Sequence, residues 1–401
     1  MGRMLYSFPE LDDLDHRVIG GIEDYRQRLR YFLAVPRRWN GQLRRNLRAR
    51  AMRGSNSIEG YDVSLDDAIA LLENDDEALD ADQRTILEVT GYRNAMTYVQ
   101  QLAEDPDFHL DQSLIRSLHF MMLGHDLDKS PGSYRQGTIY VRDEDLDEIV
   151  YEGPDHEIVP GLMHELLEQL EYFDDHSDEK SIFVTAAMAH LNLVMIHPFR
   201  DGNGRMARCL QTLILSRNQI LGPEFASIEE WLGRNTASYY DVLAQTGQGS
   251  WHPKNDALAW VRFNLRAHHM QAQTVWHRVQ ESDALWARLE EIATDHKLPE
   301  RCVNGLFSAA LGLRLRRSAY EDGAGVEPGT ANRDLKAMVS AGLLIAKGET
   351  RGRYYLGTEA LRSNYATIRS EFRSRVVDPY EALREIPTGP IVEPLEDEAL
   401  F

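Results

Sequence analysis

Between residues 181 and 194 (SIFVTAAMAHLNLV), Ile182, Phe183, Ala186, Ala187, Ala189 and Val194 put apolar or small side chains on most faces of a helix. A helix that is apolar all round is a buried one. Pro198 predicts its end near Met195 or Ile196 and an extended His197. Gly202 and Gly204 allow a tight turn with positive φ. A second apolar run then starts near Arg205 (RMARCLQTLILS), with Leu210, Leu213 and Ile214 on one face. The centre of the chain is thus a buried helix, a glycine-rich turn and the N-terminus of a second helix.

Upstream, residues 17–33 read as a short helix after an irregular lead-in, broken at Pro36. Residues 42–57 form a basic helix whose Arg44, Arg45, Arg48, Arg50 and Arg53 read as a solvated face. It ends in Ser55-Asn56-Ser57-Ile58-Glu59-Gly60, where Ser55 and Glu59 share a face and Gly60 is a good terminator. Ser64 caps a helix running to Leu72, and the acidic stretch 73–82 reads as a loop. Residues 85–102 are amphipathic, with Ile86, Val89, Tyr92, Ala95, Met96 and Val99 on one side, and 111–123 repeat the pattern. Two β-prone runs, 134–141 and 149–154, surround the polar tip RDEDLDE and predict a hairpin. A helix over 159–172 leads to the buried one.

Beyond the central helices, residues 228–243 carry Trp231, Tyr239 and Tyr240, and a long helix over 255–279 closes the core. His268 and His269 are adjacent and face different ways, a poor metal pair. The C-terminal third reads as helix (301–312), helix (330–344) and hairpin (345–356), with Leu335, Met338 and Val339 facing inward and Gly342 ending the second helix. After about residue 375 the chain becomes rich in proline and acid, as a tail would. The class is mainly α.

Composition narrows the partners. The 401 residues suffice for two or three domains, and 43% apolar with 27% charged residues is ordinary for a globular chain. A net charge of −20 argues against coating nucleic acid or an anionic membrane, while leaving room for a local basic patch. Cys209 and Cys302 are far apart and lack metal-ligand spacing, which fits a reducing compartment. No apolar leader and no run of 18 apolar residues occurs, so a cytoplasmic protein without membrane contact is expected.

Candidate chemistry concentrates in His197-Pro198-Phe199-Arg200-Asp201-Gly202-Asn203-Gly204-Arg205-Met206-Ala207-Arg208. A helix N-terminus after glycines offers backbone N–H groups and partial positive charge to an anion. Arg205 and Arg208 share a helix face and suit a polyphosphate. Asp201 can take a divalent cation, and His197 can act as a general base near neutral pH. Base, metal ligand and phosphate cradle together describe phosphoryl or nucleotidyl transfer.

This stretch resembles the signature of the Fic (filamentation induced by cAMP) family, His-Pro-Phe-x-Asp/Glu-Gly-Asn-Gly-Arg-x-x-Arg, at every specified position. The resemblance implies a Fic-type helical core with a β-hairpin flap, and an adenylyltransferase moving AMP from ATP to a Ser, Thr or Tyr hydroxyl of a target protein or of itself. It implies His197 as base, Asp201 as Mg²⁺ ligand, Gly202, Asn203 and Gly204 around the α- and β-phosphates, and Arg205 and Arg208 at the β/γ end. Phe199 would anchor the loop. Arg200 falls at a variable position and enters the ATP-binding set by place alone. Residues 55–60 resemble the family's inhibitory motif, Ser/Thr-x-x-x-Glu-Gly/Asn. There, Glu59 would pair with Arg208 and obstruct the γ-phosphate, and Ser55 and Glu59 are the inhibitory residues. The hairpin resembles the Fic flap, which pairs with an extended target segment, and places Ile139, Tyr140 and Val141 at the nucleotide site. Tyr239 and Tyr240 lie where Fic tyrosines stack on adenine, or are ordinary core residues.

Residues 300–356 resemble a winged helix-turn-helix, with Arg333, Lys336, Arg351 and Arg353 as DNA contacts. The expected division is an N-terminal helical region (1–105), a Fic core (106–285) with flap (134–154), a winged helix (290–360) and a tail (361–401). Removal of AMP from a modified protein, with Glu59 orienting a water, is the alternative direction. A DNA-binding regulator with a nucleotide-sensing core is the alternative class. Homodimers are common among relatives, and the oligomeric state stays open.

Overall fold

The computed structural model describes residues 4–75, 79–143, 148–175, 181–217, 222–349, 352–373 and 376–382. The first helix, α1 (Asp13–Ala34), is 22 residues long, not short. A capping box starts it: the Asp12 carboxylate accepts from the backbone of Leu14 and Asp15, and the Asp15 side chain accepts from Asp12 N. Next come α2 (Asn40–Ser57), α3 (Leu65–Glu73), α4 (Gln83–Glu104) and α5 (Gln112–Leu123). Ser64, Asp82 and Asp111 cap the last three through their side-chain oxygens. The arginines of α2 are not a merely solvated face. Arg44 pairs with the buried Glu224 at 2.5 Å and Arg50 with the buried Glu230 at 3.6 Å, while Arg45 meets Glu73.

Strands β1 (Tyr140–Asp143) and β2 (Glu148–Glu152) form the expected antiparallel hairpin, with Tyr140 opposite Glu152 and Val141 opposite Tyr151. Residues 144–147, the centre of the acidic tip, lie outside the described residues. The helices α6 (Val159–Asp175), α7 (Ile182–Ile196) and α8 (Asn203–Arg217) then complete the central bundle. One apolar cluster joins α4, α5, α6, α7 and α8 through Val89, Leu118, Met122, Leu166, Leu193 and Leu210. It fixes the turn between α7 and α8 from below.

After α9 (Pro223–Ala226), α10 (Glu229–Arg234) and α11 (Thr236–Gly247), helix α12 (Leu258–Asp295) runs for 38 residues. It passes the expected end at 279 and the expected domain boundary at 285–290. No glycine or proline occurs in it to stop it, and the next such residue is Pro299. The C-terminal unit comprises α13 (Cys302–Ala310), β3 (Leu315–Arg316), α14 (Arg317–Ala324), α15 (Pro328–Ser340), β4 (Leu344–Lys347) and β5 (Tyr354–Gly357). Its sheet order is β3-β5-β4. The short β3 and α14 are absent from the sequence expectation. Leu43 and Leu47 of α2 join this unit's core with Val303, Leu306 and Phe307.

The segment expected as a tail contains α16 (Glu359–Arg373), which packs Leu361, Tyr365 and Ile368 into the C-terminal core, and α17 (Pro379–Ala382). Their spacing of four and three is a helical stripe. Tyr380 is buried and donates to Asp15 Oδ1 at 2.9 Å, docking α17 on α1. Residues 383–401 of the expected tail lie outside the described residues. Among the described residues no helix is long and apolar enough to cross a membrane.

Candidate active site

The site grows out of the C-terminal end of α7, whose last carbonyls have no partner within the helix. Leu193 O accepts from His197 N at 3.0 Å, Val194 O from His197 Nδ1 at 3.0 Å, and Met195 O from the Tyr151 hydroxyl at 2.7 Å. His197 O accepts from Arg135 Nε at 2.8 Å. His197 itself sits at φ 51°, ψ 58°, left-handed rather than extended. Pro198 removes the right-handed option, and a left-handed residue is a common way to end a helix. That conformation costs a non-glycine residue about 1–2 kcal/mol. Because a carbonyl only accepts, Nδ1 carries the proton and the neutral ring presents a lone pair at Nε2. Burial lowers the His197 pKa, with the Arg135 charge adding to it, against the hydrogen bond to Val194 and the charges of Glu59 and Asp201.

In the following turn only Gly202 has positive φ, at 74°. Gly204 is already helical, within the first turn of α8, and is needed there for a different reason given below. The N–H groups of Asn203, Gly204 and Arg205 precede the first backbone bond into the helix, Met206 N to Gly202 O at 2.9 Å. They form the anion-facing end. The Asn203 side chain is engaged elsewhere: its amide clamps Phe199, accepting from N and donating to O at 2.9 Å each. Phe199 is buried and stacks on His119, with ring centroids 3.7 Å apart. His119 Nδ1 accepts from Gly132 N at 2.8 Å, so its Nε2–H donates to Asp201 O at 2.9 Å. Burial holds this histidine neutral, its pKa lowered to about 4. No motif marks His119.

Arg205 is engaged on the α4 side of the turn. It is buried, 2.7 Å from Glu88 Oε2, and its guanidinium lies over the Tyr61 ring. Glu88 also accepts from Lys129 Nζ at 2.8 Å. Burial alone would raise the Glu88 pKa; the Lys129 hydrogen bond and the Arg205 charge outweigh it and bring it down to about 2. Arg205 therefore braces the turn from beneath. Lys129 also reaches Asp201 Oδ2 at 2.7 Å, and Asp201 Oδ1 accepts from Gly202 N at 2.6 Å. Arg200 is exposed and donates to Asp128 O at 2.9 Å, away from the anion-facing end.

Arg208 points the other way, toward the end of α2. Its Nε donates to Ser55 Oγ at 2.7 Å, and its Nη2 to Ser55 O at 3.0 Å and Glu59 Oε1 at 2.6 Å. A Cβ at position 204 would stand 2.5 Å from Glu59 Oε1. Glycine there is what lets the carboxylate lie across the start of α8.

At the hairpin, Ile139 O accepts from Gly153 N at 3.2 Å and closes its base, beside His197. Tyr140 is exposed and Val141 half-buried. Tyr239 offers no open ring face: it is buried, and its hydroxyl is 3.0 Å from His190 Nε2 within a polar network that continues to Gln211. Of the two expectations for Tyr239, this burial fits the core residue. Tyr240 is 46% exposed and donates to Ile58 O at 3.2 Å. Sequence reasoning missed Arg135, Tyr151, Glu88, Lys129 and His119, each a lone residue far along the chain from its partner.

Residues 109–215 match the Fic/DOC family. The chain carries a Fic domain. It is 26% identical over 271 residues to "Protein adenylyltransferase Fic" of Nematostella vectensis, covering 65% of this chain and 56% of that one. It is 31% identical over 167 residues to the protein of the same name from Drosophila virilis, covering 40% of this chain and 31% of the other. It thus spans between about a third and just over half of these relatives' length. Among solved structures, a Fic family protein from Desulfovibrio desulfuricans G20 superposes with a TM-score of 0.54 at 24% identity, over 88% of this chain and 99% of that one. Fic-1 from C. elegans gives 0.52 at 24% identity, over 67% and 73%. Both share the fold of the Fic domain described above.

Proposed function

We propose that the chain is a protein adenylyltransferase held in check by Glu59. The observation that carries this reading is His197, its Nδ1 pinned on Val194 O so that Nε2 is left as the lone-pair atom, at the start of the turn that leads into α8. Nε2 takes the proton of a Ser, Thr or Tyr hydroxyl on the target. The hydroxyl oxygen forms a bond to the α-phosphorus of ATP, the bond from that phosphorus to the bridging oxygen breaks, and pyrophosphate leaves. The N–H groups of Asn203, Gly204 and Arg205 suit the phosphate oxygens.

Asp201 fits Mg²⁺. It is a part-exposed carboxylate already drawn to a cation, Lys129, and among the described residues no cluster of three or more metal-ligand side chains surrounds it. One protein carboxylate with phosphates completing the shell is the way Mg²⁺ is ordinarily held. When bound, the ion would supply charge neutralisation to the polyphosphate.

Glu59 occupies the Arg208 fork that a γ-phosphate would otherwise take, and a carboxylate and a phosphate compete for it directly. Protein incubated with Mg²⁺ and ATP labelled at the α-phosphate tests the reading. Label bound to protein, abolished by His197→Ala, supports it; label that persists in His197→Ala removes the base from the mechanism.

We further read residues 300–356 as a winged helix that contacts DNA. The order β3-β5-β4 around α13, α14 and α15 supports this, as do the exposed Arg333 and Lys336 on α15 and the exposed Arg353 before β5. Arg351 lies outside the described residues. A low-salt gel shift, weakened by Arg333→Ala with Lys336→Ala, is the expected result; the absence of any shift removes this reading.

A further inference from the structure

Arg135, just before the hairpin, has no role in the chemistry set out above, yet its side chain is buried and fully engaged. Its Nε donates to His197 O at 2.8 Å, Nη1 to Gly137 O at 2.7 Å and Nη2 to Pro154 O at 2.5 Å, while its own backbone N donates to Pro198 O at 3.0 Å. Gly137 lies on the entry side of the hairpin and Pro154 on the exit side. One guanidinium therefore ties both legs of the hairpin to the backbone of the catalytic histidine. All these acceptors are main-chain carbonyls. Burying a guanidinium is costly, and an apolar side chain would fill the same space with less penalty. The planar, forked donor set is what the position uses.

We propose that Arg135 is a positioning residue for the transfer reaction, locking the flap and His197 into one rigid unit so that a target segment paired to the flap delivers its hydroxyl at Nε2. The proposal rests on the adenylyltransferase reading. Tyr151, donating from β2 to Met195 O at 2.7 Å, is a second rivet between the same two parts. Space around the junction is tight: a Cβ at Gly153 would stand 2.6 Å from Ile139 Cγ2 and 3.2 Å from Arg135 Nη2. The anion-facing turn is held separately, by the Asn203 clamp on Phe199 and by His119 on Asp201. Loosening Arg135 thus disturbs the path of the hydroxyl and leaves the anion-facing seat of the phosphates in place.

The guanidinium also lies at the negative end of the α7 dipole, where a cation is favoured. The charged groups facing His197 are Arg135, Glu59 after α2 and Asp201 in the turn. Of these Arg135 favours the neutral ring, and the two carboxylates oppose it. Position and charge can be separated by substitution. Arg135→Gln removes the charge and most of the fork. Arg135→Lys keeps the charge, but a single ammonium cannot span the three carbonyls.

The test uses the full chain in the Glu59→Gly background. Arg135→Gln is expected to slow label transfer by about 10- to 100-fold, the scale of a misplaced reactant, with KM for ATP unchanged. The acid limb of its pH–rate profile moves to higher pH, because the base loses a neighbouring positive charge. Arg135→Lys is expected to slow transfer comparably with the limb in place. Hydrogen exchange at the flap amides, which needs no activity, is expected to accelerate in both variants. Unchanged flap exchange overturns the proposal, as does a full transfer rate in Arg135→Gln. Loss of ATP affinity in step with rate also overturns it, since that marks general collapse of the site. Absence of label from the Glu59→Gly reference refutes the adenylyltransferase reading instead, and flap exchange then decides the role of Arg135 in the fold.

Discussion

Replacing Glu88 with glutamine keeps the side chain's shape and removes the charge that Arg205 leans on. Both side chains are almost inaccessible, at 2% and 1%, and their N···O distance is 2.7 Å. Lys129 keeps Asp201 as a partner at 2.7 Å, so the orphaned charge is that of Arg205. Breaking a buried pair from one side costs about 3–5 kcal/mol. The titration of Glu88, in which burial is outweighed by Lys129 first and Arg205 next, is of the same order. A carboxyl drawn from its ordinary 4.5 down to about 2 in the folded protein contributes about 3 kcal/mol, at about 1.4 kcal/mol per pH unit. Because the folded value is the lower one, this stability is fully present above pH 4.5 and is lost as pH falls toward 2. Urea unfolding at pH 7 should show Glu88→Gln less stable by about 3 kcal/mol. The double variant Glu88→Gln, Arg205→Met should recover most of that, because no unpaired charge remains. A loss under about 1 kcal/mol, or a double variant as unstable as the sum of the singles, would refute the view that Arg205 is a buried brace.

The neutral His119 gives the fold a further pH dependence. Its pKa is depressed from 6.5 to about 4, so its contribution is complete above pH 6.5 and fades as pH falls through 4. Unfolding free energy should decline across that window, and His119→Phe should flatten the decline; an identical slope in the variant would count against the assignment. Tyr239→Phe should lower stability by about 1–3 kcal/mol, by leaving His190 short of a partner, with KM for ATP unchanged. A raised KM would restore Tyr239 to the nucleotide site.

The stretch from His197 to Arg208 was legible because its candidate chemistry is local. Base, turn and helix N-terminus follow one another within a dozen residues, and proline and glycine mark the breaks. The pair Ser55 and Glu59 was legible for the same reason, being one helical turn apart. What the spacing of Arg205 and Arg208 did not reveal is what covers their faces of α8. One meets α4 and the other the end of α2, and neither partner is near in sequence. Arg135 and His119 reach the loop from 62 and 82 residues away, as single residues without a repeating pattern. The residue preceding a proline is steered away from the right-handed region, which leaves both extended and left-handed conformations open to His197. The helix α16 was obscured by the acidic, proline-rich stretch after it, although Leu361, Tyr365 and Ile368 already carried its stripe. The length of α12 followed from the absence of breakers up to Pro299.

Glu59, 2.6 Å from Arg208, is the restraint on the adenylyltransferase we propose. The most direct test of this restraint compares self-labelling of wild type and Glu59→Gly with Mg²⁺ and α-labelled ATP. Weak label on wild type and strong label on Glu59→Gly is the expected result. Equal labelling of the two proteins, or none from Glu59→Gly, would contradict it.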